Sequence, residues 1–158
     1  MIRPTKPDET DTLVAIATGT GVFKPIEIEA LRGVLDDYHS NETGPGHRAI
    51  TYETSGRAHG FAYYAPTEMT DRTWHLYWIF VDKSTQAKGL GAKLMRHVEE
   101  EIQAAGGRVI VVETSALPNY EPTRRFYLRL GYKQVATIPD FYADGDDMTV
   151  FWKRLNSV

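Results

Sequence analysis

The spacing of apolar residues predicts that helices and strands alternate along this chain. Residues 2–4 could form a short first strand, residues 13–17 are an apolar run, and residues 26–35 are an amphipathic stretch. In the stretch at 26–35 the apolar positions fall on one face of a helix. Acidic and capping residues at 8–11 precede the first stretch, and Pro25 precedes the second, as is typical of helix starts. The N-terminal part is therefore predicted to be one short strand and two helices.

The middle of the chain has three runs typical of strands. Residues 49–54 and 60–64 flank a Ser-Gly-Arg turn, which predicts a hairpin. Residues 73–81 form a long aromatic and β-branched run, which predicts a central strand.

A helix and further strands follow the central strand. Apolar residues recur at helical spacing from Gly91 to Ile102, and residues 108–114 form a buried strand. Strand, helix and strand in this order form a parallel βαβ unit. A helix at 123–130 and strands at 133–138 and 148–155 complete the chain, with 139–147 as a loop. The predicted fold class is α+β, with a mixed, mostly antiparallel sheet, a central parallel pair and flanking helices.

Composition narrows the class of protein. The 158 residues suit one domain over 1–158, and the net charge of -3 gives no electrostatic reason to expect nucleic acid or membrane as a partner. No apolar run is long enough for a membrane span, and the first residues lack a signal-peptide core, so we expect a cytoplasmic protein. The absence of cysteine excludes disulfides and thiolate nucleophiles, and we expect no metal.

The segment Gln-Ala-Lys-Gly-Leu-Gly at 86–91 places two glycines where the helix after the central strand begins. Free amides and the helix dipole at such a point bind anions, phosphate above all, although the glycines could simply permit a tight turn. A Walker loop is absent, and a dinucleotide fingerprint would need glycine where Leu94 stands.

This segment resembles the Q/R-x-x-G-x-G/A motif of the GCN5-related N-acetyltransferases (GNAT), which binds the pyrophosphate of acetyl-CoA. Residues 123–132 are similar to that family's F-Y-x-x-x-G-F/Y segment. The resemblance covers nearly the whole chain and implies that the central parallel pair is splayed. It also implies that the pantetheine arm pairs with the backbone of Ile79, Phe80 and Val81, and that the phosphates bind at the motif, namely Gln86, Ala87, Lys88, Gly89, Leu90, Gly91 and Ala92.

The resemblance also implies catalytic residues. Tyr127 matches the general acid that protonates the leaving thiolate. His75 and Glu113 stand where different members of the family carry their base, so His75, Glu113 and water remain alternatives. Many members place an asparagine seven residues before the tyrosine; here that position is Tyr120, with Asn119 adjacent, so this cofactor contact is shifted or absent.

The implied activity is direct transfer of an acetyl group from acetyl-CoA to a primary amine of a small molecule, a peptide or protein N-terminus, or a lysine. Acids at Glu27, Glu29 and in the 139–147 loop could attract the amine, with Phe141 and Tyr142 as walls; a solvated turn is the simpler interpretation of the aspartates. Two alternatives are an inactive acyl-CoA-binding sensor or assembly domain and an NAD-type oxidoreductase. Homodimers are common in the family, which makes a homodimer compatible with the resemblance.

Overall fold

The computed structural model describes residues 1–155, except the side chain of Ala87. The helices are α1 (Thr10–Gly19), α2 (Pro25–His39), α3 (Leu90–Ala104) and α4 (Glu121–Arg129). The strands are β1 (Ile2–Pro4), β2 (Arg48–Thr54), β3 (Arg57–Pro66), β4 (Thr73–Val81), β5 (Val109–Ser115), β6 (Lys133–Ala143) and β7 (Asp146–Arg154). Short 3-10 helices occupy Pro7–Glu9, Lys83–Lys88 and Pro118–Tyr120.

The seven strands form one sheet in the order β1-β2-β3-β4-β5-β7-β6. Strands β4 and β5 pair in parallel, and the pairing covers Thr73 to Leu76 and Val109 to Val112. The pairs β1–β2, β2–β3, β5–β7 and β6–β7 are antiparallel. Strand β5 continues for three residues beyond its pairing with β4. The predicted fold class, including the splayed parallel pair, is confirmed.

The chain divides into two compact units, and the first comprises residues 1–65 and 78–98. Its core contains Leu13 of α1, Leu31 and Leu35 of α2, Phe61 of β3 and Phe80 of β4, all buried. The two helices have one apolar face each, so burial against the strands removes that face from water and stabilises the unit.

The second unit comprises residues 66–77 and 99–158, described to residue 155. Ile110 and Phe151 are fully buried in it. Glu99, in the last part of α3, accepts hydrogen bonds from the Tyr132 hydroxyl at 2.6 Å and from Lys153 Nζ at 3.0 Å. These charge-assisted bonds tie α3 to β7 within this unit.

The hairpin between β6 and β7 differs from the sequence prediction. Residues 139–147 were predicted as a loop, but β6 runs to Ala143 and β7 begins at Asp146. The side chain of Asp140 accepts a hydrogen bond from the Gly145 amide at 2.7 Å, and the Asp140 amide donates to Asp147 Oδ1 at 2.9 Å. These aspartates hold the backbone of an irregular hairpin, which is why their loop-like composition was misleading.

No helix within residues 1–155 is both long and apolar enough to cross a membrane.

A substitution at Gly107 tests the packing between α3 and β4. A Cβ atom at this position would lie 2.3 Å from Ile102 Cγ2 and 2.8 Å from Trp74 Cδ1, and both side chains are buried. We expect Gly107→Ala to lower the free energy of unfolding by about 1–3 kcal/mol, measured by urea denaturation. The matched control is Gly33→Ala in α2, where an added Cβ meets nothing within 4 Å. That change should stabilise by up to about 1 kcal/mol, and equal effects at both positions would contradict the packing argument.

Candidate active site

His75 and Glu113, the two side chains predicted as alternative bases, form one hydrogen-bonded pair. His75 lies opposite Val111 in the parallel register of β4 and β5, and Glu113 follows Val111 on the same face of β5. His75 Nε2 lies 3.0 Å from Glu113 Oε1. The side chains are 19% and 36% exposed, so the carboxylate is the more accessible of the two.

The second ring nitrogen of His75 is also occupied. Its Nδ1 lies 2.8 Å from the hydroxyl of Thr67, in the segment between β3 and β4. The ring stacks on Tyr77 with centroids 5.4 Å apart and an interplanar angle of 18°. Two hydrogen bonds and one stacked ring therefore set the orientation of His75.

Tyr77 and Thr67 were missed from the sequence. Tyr77 stands two residues after His75 on the predicted strand, so strand periodicity could have placed both on one face. Burial and the negative charges of Glu113 and Glu68 raise the pKa of Tyr77, which keeps its hydroxyl neutral. Thr67 carries no such signal because it lies outside any periodic segment.

Tyr127, the predicted general acid, is buried in the second unit. It packs against Tyr132 and Phe151 with ring centroids 5.8 and 5.6 Å away. Only 3% of the residue is exposed, and burial raises the pKa of its hydroxyl. In residues 1–155, the fully buried side-chain polar atoms that have no hydrogen-bond partner are His39 Nε2 and His59 Nδ1. The Tyr127 hydroxyl is not among them.

The glycine motif lies where a 3-10 helix gives way to α3 in the first unit. Asp82 begins the segment by accepting a hydrogen bond from the Ser84 amide at 3.2 Å, and its own amide donates to His59 O at 2.6 Å. Gly89 ends the 3-10 helix with φ of +73°, and a Cβ there would meet nothing within 4 Å. The backbone at Gly89 is thus open to a ligand, and the first amides of α3 have no helical acceptor. The geometry fits a phosphate group.

The other predicted cofactor residues differ in exposure. Gln86 donates from Nε2 to Val81 O at 3.5 Å, so its side chain folds back toward β4. Leu90, Phe80 and Tyr120 are buried, which leaves their backbone rather than their side chains for a ligand. Lys88 and Asn119 are exposed, and Ile79, Val81, Gly91 and Ala92 are half-buried. The side chain of Ala87 lies outside the described part.

Several of the acidic residues that were predicted to attract the acceptor amine form hydrogen bonds within the protein. Glu27 accepts a hydrogen bond from the Lys24 amide at 2.9 Å and so caps α2. Asp146 is buried and accepts a hydrogen bond from Ser115 Oγ, which corrects its interpretation as part of a solvated turn. Glu29 and Asp144 are exposed.

Phe141 and Tyr142 are exposed on β6. Their rings contact each other edge to face at 5.1 Å. Their role as walls of an acceptor pocket stays a prediction. No group of three histidines or carboxylates within residues 1–155 is arranged to hold a metal ion.

Comparison with known proteins establishes the class. Residues 45–134 match the model of the acetyltransferase (GNAT) domain family. The match covers more than half of the chain, and the protein belongs to the GNAT family of acetyltransferases. Both the glycine motif and the segment around Tyr127 fall inside the matched region.

Individual relatives agree with this assignment. An uncharacterized N-acetyltransferase of Methanocaldococcus jannaschii is 30% identical over 81 residues, 51% of each chain, so the chain spans about half the length of this curated relative. A crystal structure from Desulfovibrio desulfuricans, described as GNAT family, is 30% identical and covers 99% of both chains with a TM-score of 0.93. The yncA structure from Salmonella typhimurium, determined with its cofactor acetyl-CoA, is 18% identical and shares the fold (TM-score 0.75, 100% of this chain, 95% of that chain).

Proposed function

We propose that this protein is an acetyl-CoA-dependent N-acetyltransferase that transfers the acetyl group directly to a primary amine. Family membership and the acetyl-CoA of the Salmonella neighbour support the cofactor. The observation that carries the proposal is the Glu113 carboxylate, partly exposed and held by His75 at 3.0 Å. Direct transfer is proposed because the sequence has no cysteine to carry an acyl group.

Gly89 and the first turn of α3 would hold the pyrophosphate. The open backbone at Gly89 allows a phosphate group to approach closely, and the helix dipole favours negative charge at the N-terminus of α3. The exposed side chain of Lys88 adds positive charge next to the glycine. When bound, acetyl-CoA supplies the thioester carbonyl that the amine attacks.

Glu113 would bind the acceptor amine and take its proton. An amine must be neutral to attack a carbonyl, and a carboxylate both attracts the ammonium form and can accept the proton, directly or through water. Glu113 Oε1 bonds to His75, and the exposed part of the carboxylate leaves room for the amine. The ring nitrogens of His75 are both engaged already, which favours Glu113 over His75 as the base.

Tyr127 would supply the proton that the leaving thiolate requires. Its raised pKa keeps the hydroxyl protonated at neutral pH, as a proton donor must be. We expect Tyr127→Phe to lower kcat by about tenfold or more while the Kd for acetyl-CoA stays within about twofold. Phenylalanine keeps the packing against Tyr132 and Phe151, so thermal unfolding should change little. An unchanged kcat would remove Tyr127 from the mechanism.

The experiment that tests the function is thiol release from acetyl-CoA over a panel of acceptors. Three arms carry small-molecule amines, peptides with free N-termini, and N-terminally blocked peptides with one lysine. Thiol release with the acceptors of one arm supports the proposal and identifies the class of acceptor. Acetyl-CoA binding by calorimetry with no turnover in any arm would favour an inactive acyl-CoA-binding domain instead.

A further inference from the structure

We infer that Thr67 is a positioning residue, which sets the orientation of the His75 ring and, through His75, the placement of the Glu113 carboxylate. The three side chains form a continuous chain of hydrogen bonds, with Thr67 Oγ1 2.8 Å from Nδ1 and Glu113 Oε1 3.0 Å from Nε2. The catalytic consequence rests on the proposed role of Glu113, whereas the effect on the His75 ring does not.

The turn that carries Thr67 is itself held in place. The Thr67 amide donates to Thr73 O at 2.7 Å, and the Thr70 hydroxyl donates to Thr67 O at 2.8 Å. The Thr73 amide donates back to Thr70 Oγ1 at 3.2 Å. These bonds connect the turn to the first residue of β4, two positions before His75. These hydrogen bonds therefore fix the backbone that places the Thr67 hydroxyl next to the ring.

The partners of His75 determine where its protons lie. An ionised carboxylate only accepts hydrogen bonds, so Nε2 must carry the proton that faces Glu113. In the neutral ring Nδ1 is then a lone pair, and the Thr67 hydroxyl donates to it. In the charged ring both nitrogens donate, and the same hydroxyl accepts.

In both charge states each ring nitrogen has a partner. His75 cannot take a proton from an acceptor amine unless one of these hydrogen bonds breaks. The ring therefore acts on the reaction through Glu113, whose carboxylate it holds, and the Thr67 hydroxyl satisfies Nδ1 of the Nε2-protonated ring.

Thr67→Val removes the hydroxyl at nearly constant volume. The neutral ring then has a partly buried Nδ1 with no donor opposite it, which is costly. We expect the ring to leave its fixed orientation, so that water can reach Nδ1, and to lose its hydrogen bond to Glu113. Thr67→Ser keeps a hydroxyl at the same position and should restore both.

The direct test is NMR of the ring nitrogens in protein labelled with 15N-histidine, without acetyl-CoA or acceptor. The chain has five histidines, and His75→Gln assigns the signals of His75. At a pH high enough that these signals no longer change, the ring is neutral, and the wild type should show the Nε2-protonated tautomer. Thr67→Val should shift the signals of both His75 nitrogens, because Nδ1 loses the hydroxyl and Nε2 loses its hydrogen bond to Glu113, while Thr67→Ser retains the wild-type values and the other histidines do not change.

Unchanged His75 nitrogen shifts in Thr67→Val would overturn the inference, whatever the activity. The second readout is kinetic, with the exposed Thr54→Val as a matched control. Thr67→Val should lower kcat about tenfold at unchanged KM for acetyl-CoA, and Thr67→Ser should recover it. Shifted nitrogens with wild-type kcat would refute the positioning role. Full activity in Glu113→Gln would instead refute the proposed base and leave the nitrogen shifts as evidence on Thr67 alone.

Discussion

Glu113→Gln is expected to lower kcat/KM for the acceptor amine by about a hundredfold or more, since a positioned general base contributes on the order of 10²–10⁴ in rate. Glutamine has nearly the same shape and its amide oxygen can still accept the hydrogen bond from His75 Nε2. The change removes the negative charge and the proton acceptor, and leaves the packing of β5 in place. Steady-state kinetics on the amine identified by the panel measures the effect.

The control for this substitution is Glu100→Gln, an exposed glutamate on α3. Glu100→Gln should retain wild-type kcat/KM, and both variants should bind acetyl-CoA with wild-type Kd in calorimetry. Wild-type kcat/KM in Glu113→Gln would exclude Glu113 as the base and leave water or His75 as the proton acceptor. A loss of acetyl-CoA affinity in the same variant would place Glu113 in cofactor binding instead of acid–base chemistry.

Gly89→Glu is expected to weaken acetyl-CoA binding by about a hundredfold or more, equivalent to about 2.7 kcal/mol. The carboxylate would stand at the proposed pyrophosphate position, where it repels the phosphates and takes the space open above the backbone. Gly89 has φ of +73°, so any side chain there also destabilises the protein by roughly 1 kcal/mol. Calorimetric titration of acetyl-CoA measures the affinity.

The chain offers a close control for the backbone effect. Gly56, in the turn between β2 and β3, has φ of +74° and equally open space around an added Cβ. Gly56→Glu should therefore lower the melting temperature by about as much as Gly89→Glu and leave acetyl-CoA affinity unchanged. Equal losses of affinity in both variants would mean that destabilisation, not the phosphate site, explains the result.

Predictions from the sequence were most accurate in segments where one type of residue, or one spacing of apolar residues, recurs. Residues 73–81 were predicted as a strand and form β4 with the same bounds, because aromatic and β-branched residues favour extended backbone. The glycine motif was located from its position between a strand and an amphipathic helix. The 3-10 helix Lys83–Lys88, which leads into this motif, was not predicted from the sequence.

Predictions that depended on turn composition were weaker. Aspartates and glycine in 139–147 indicated a solvated loop, whereas most of these residues continue β6 and β7. Asp146 is buried against Ser115, which lies 31 positions earlier in the chain. Composition cannot reveal such a partner, because a hydrogen bond over this separation exists only once the strands have paired.

The sequence by itself determined the class of protein, the kinds of helices and strands, the candidate phosphate site and three candidate catalytic side chains. The helices and strands follow from periodicity and residue type, which are local, whereas the class of protein and the catalytic side chains follow from the resemblance of the motifs to the GNAT family. Only the tertiary structure decided that His75 and Glu113 are one pair instead of two alternatives, and that Thr67 completes it. The physical reason is the register between β4 and β5, which places side chains 38 positions apart within 3.0 Å and is set by how the whole sheet pairs.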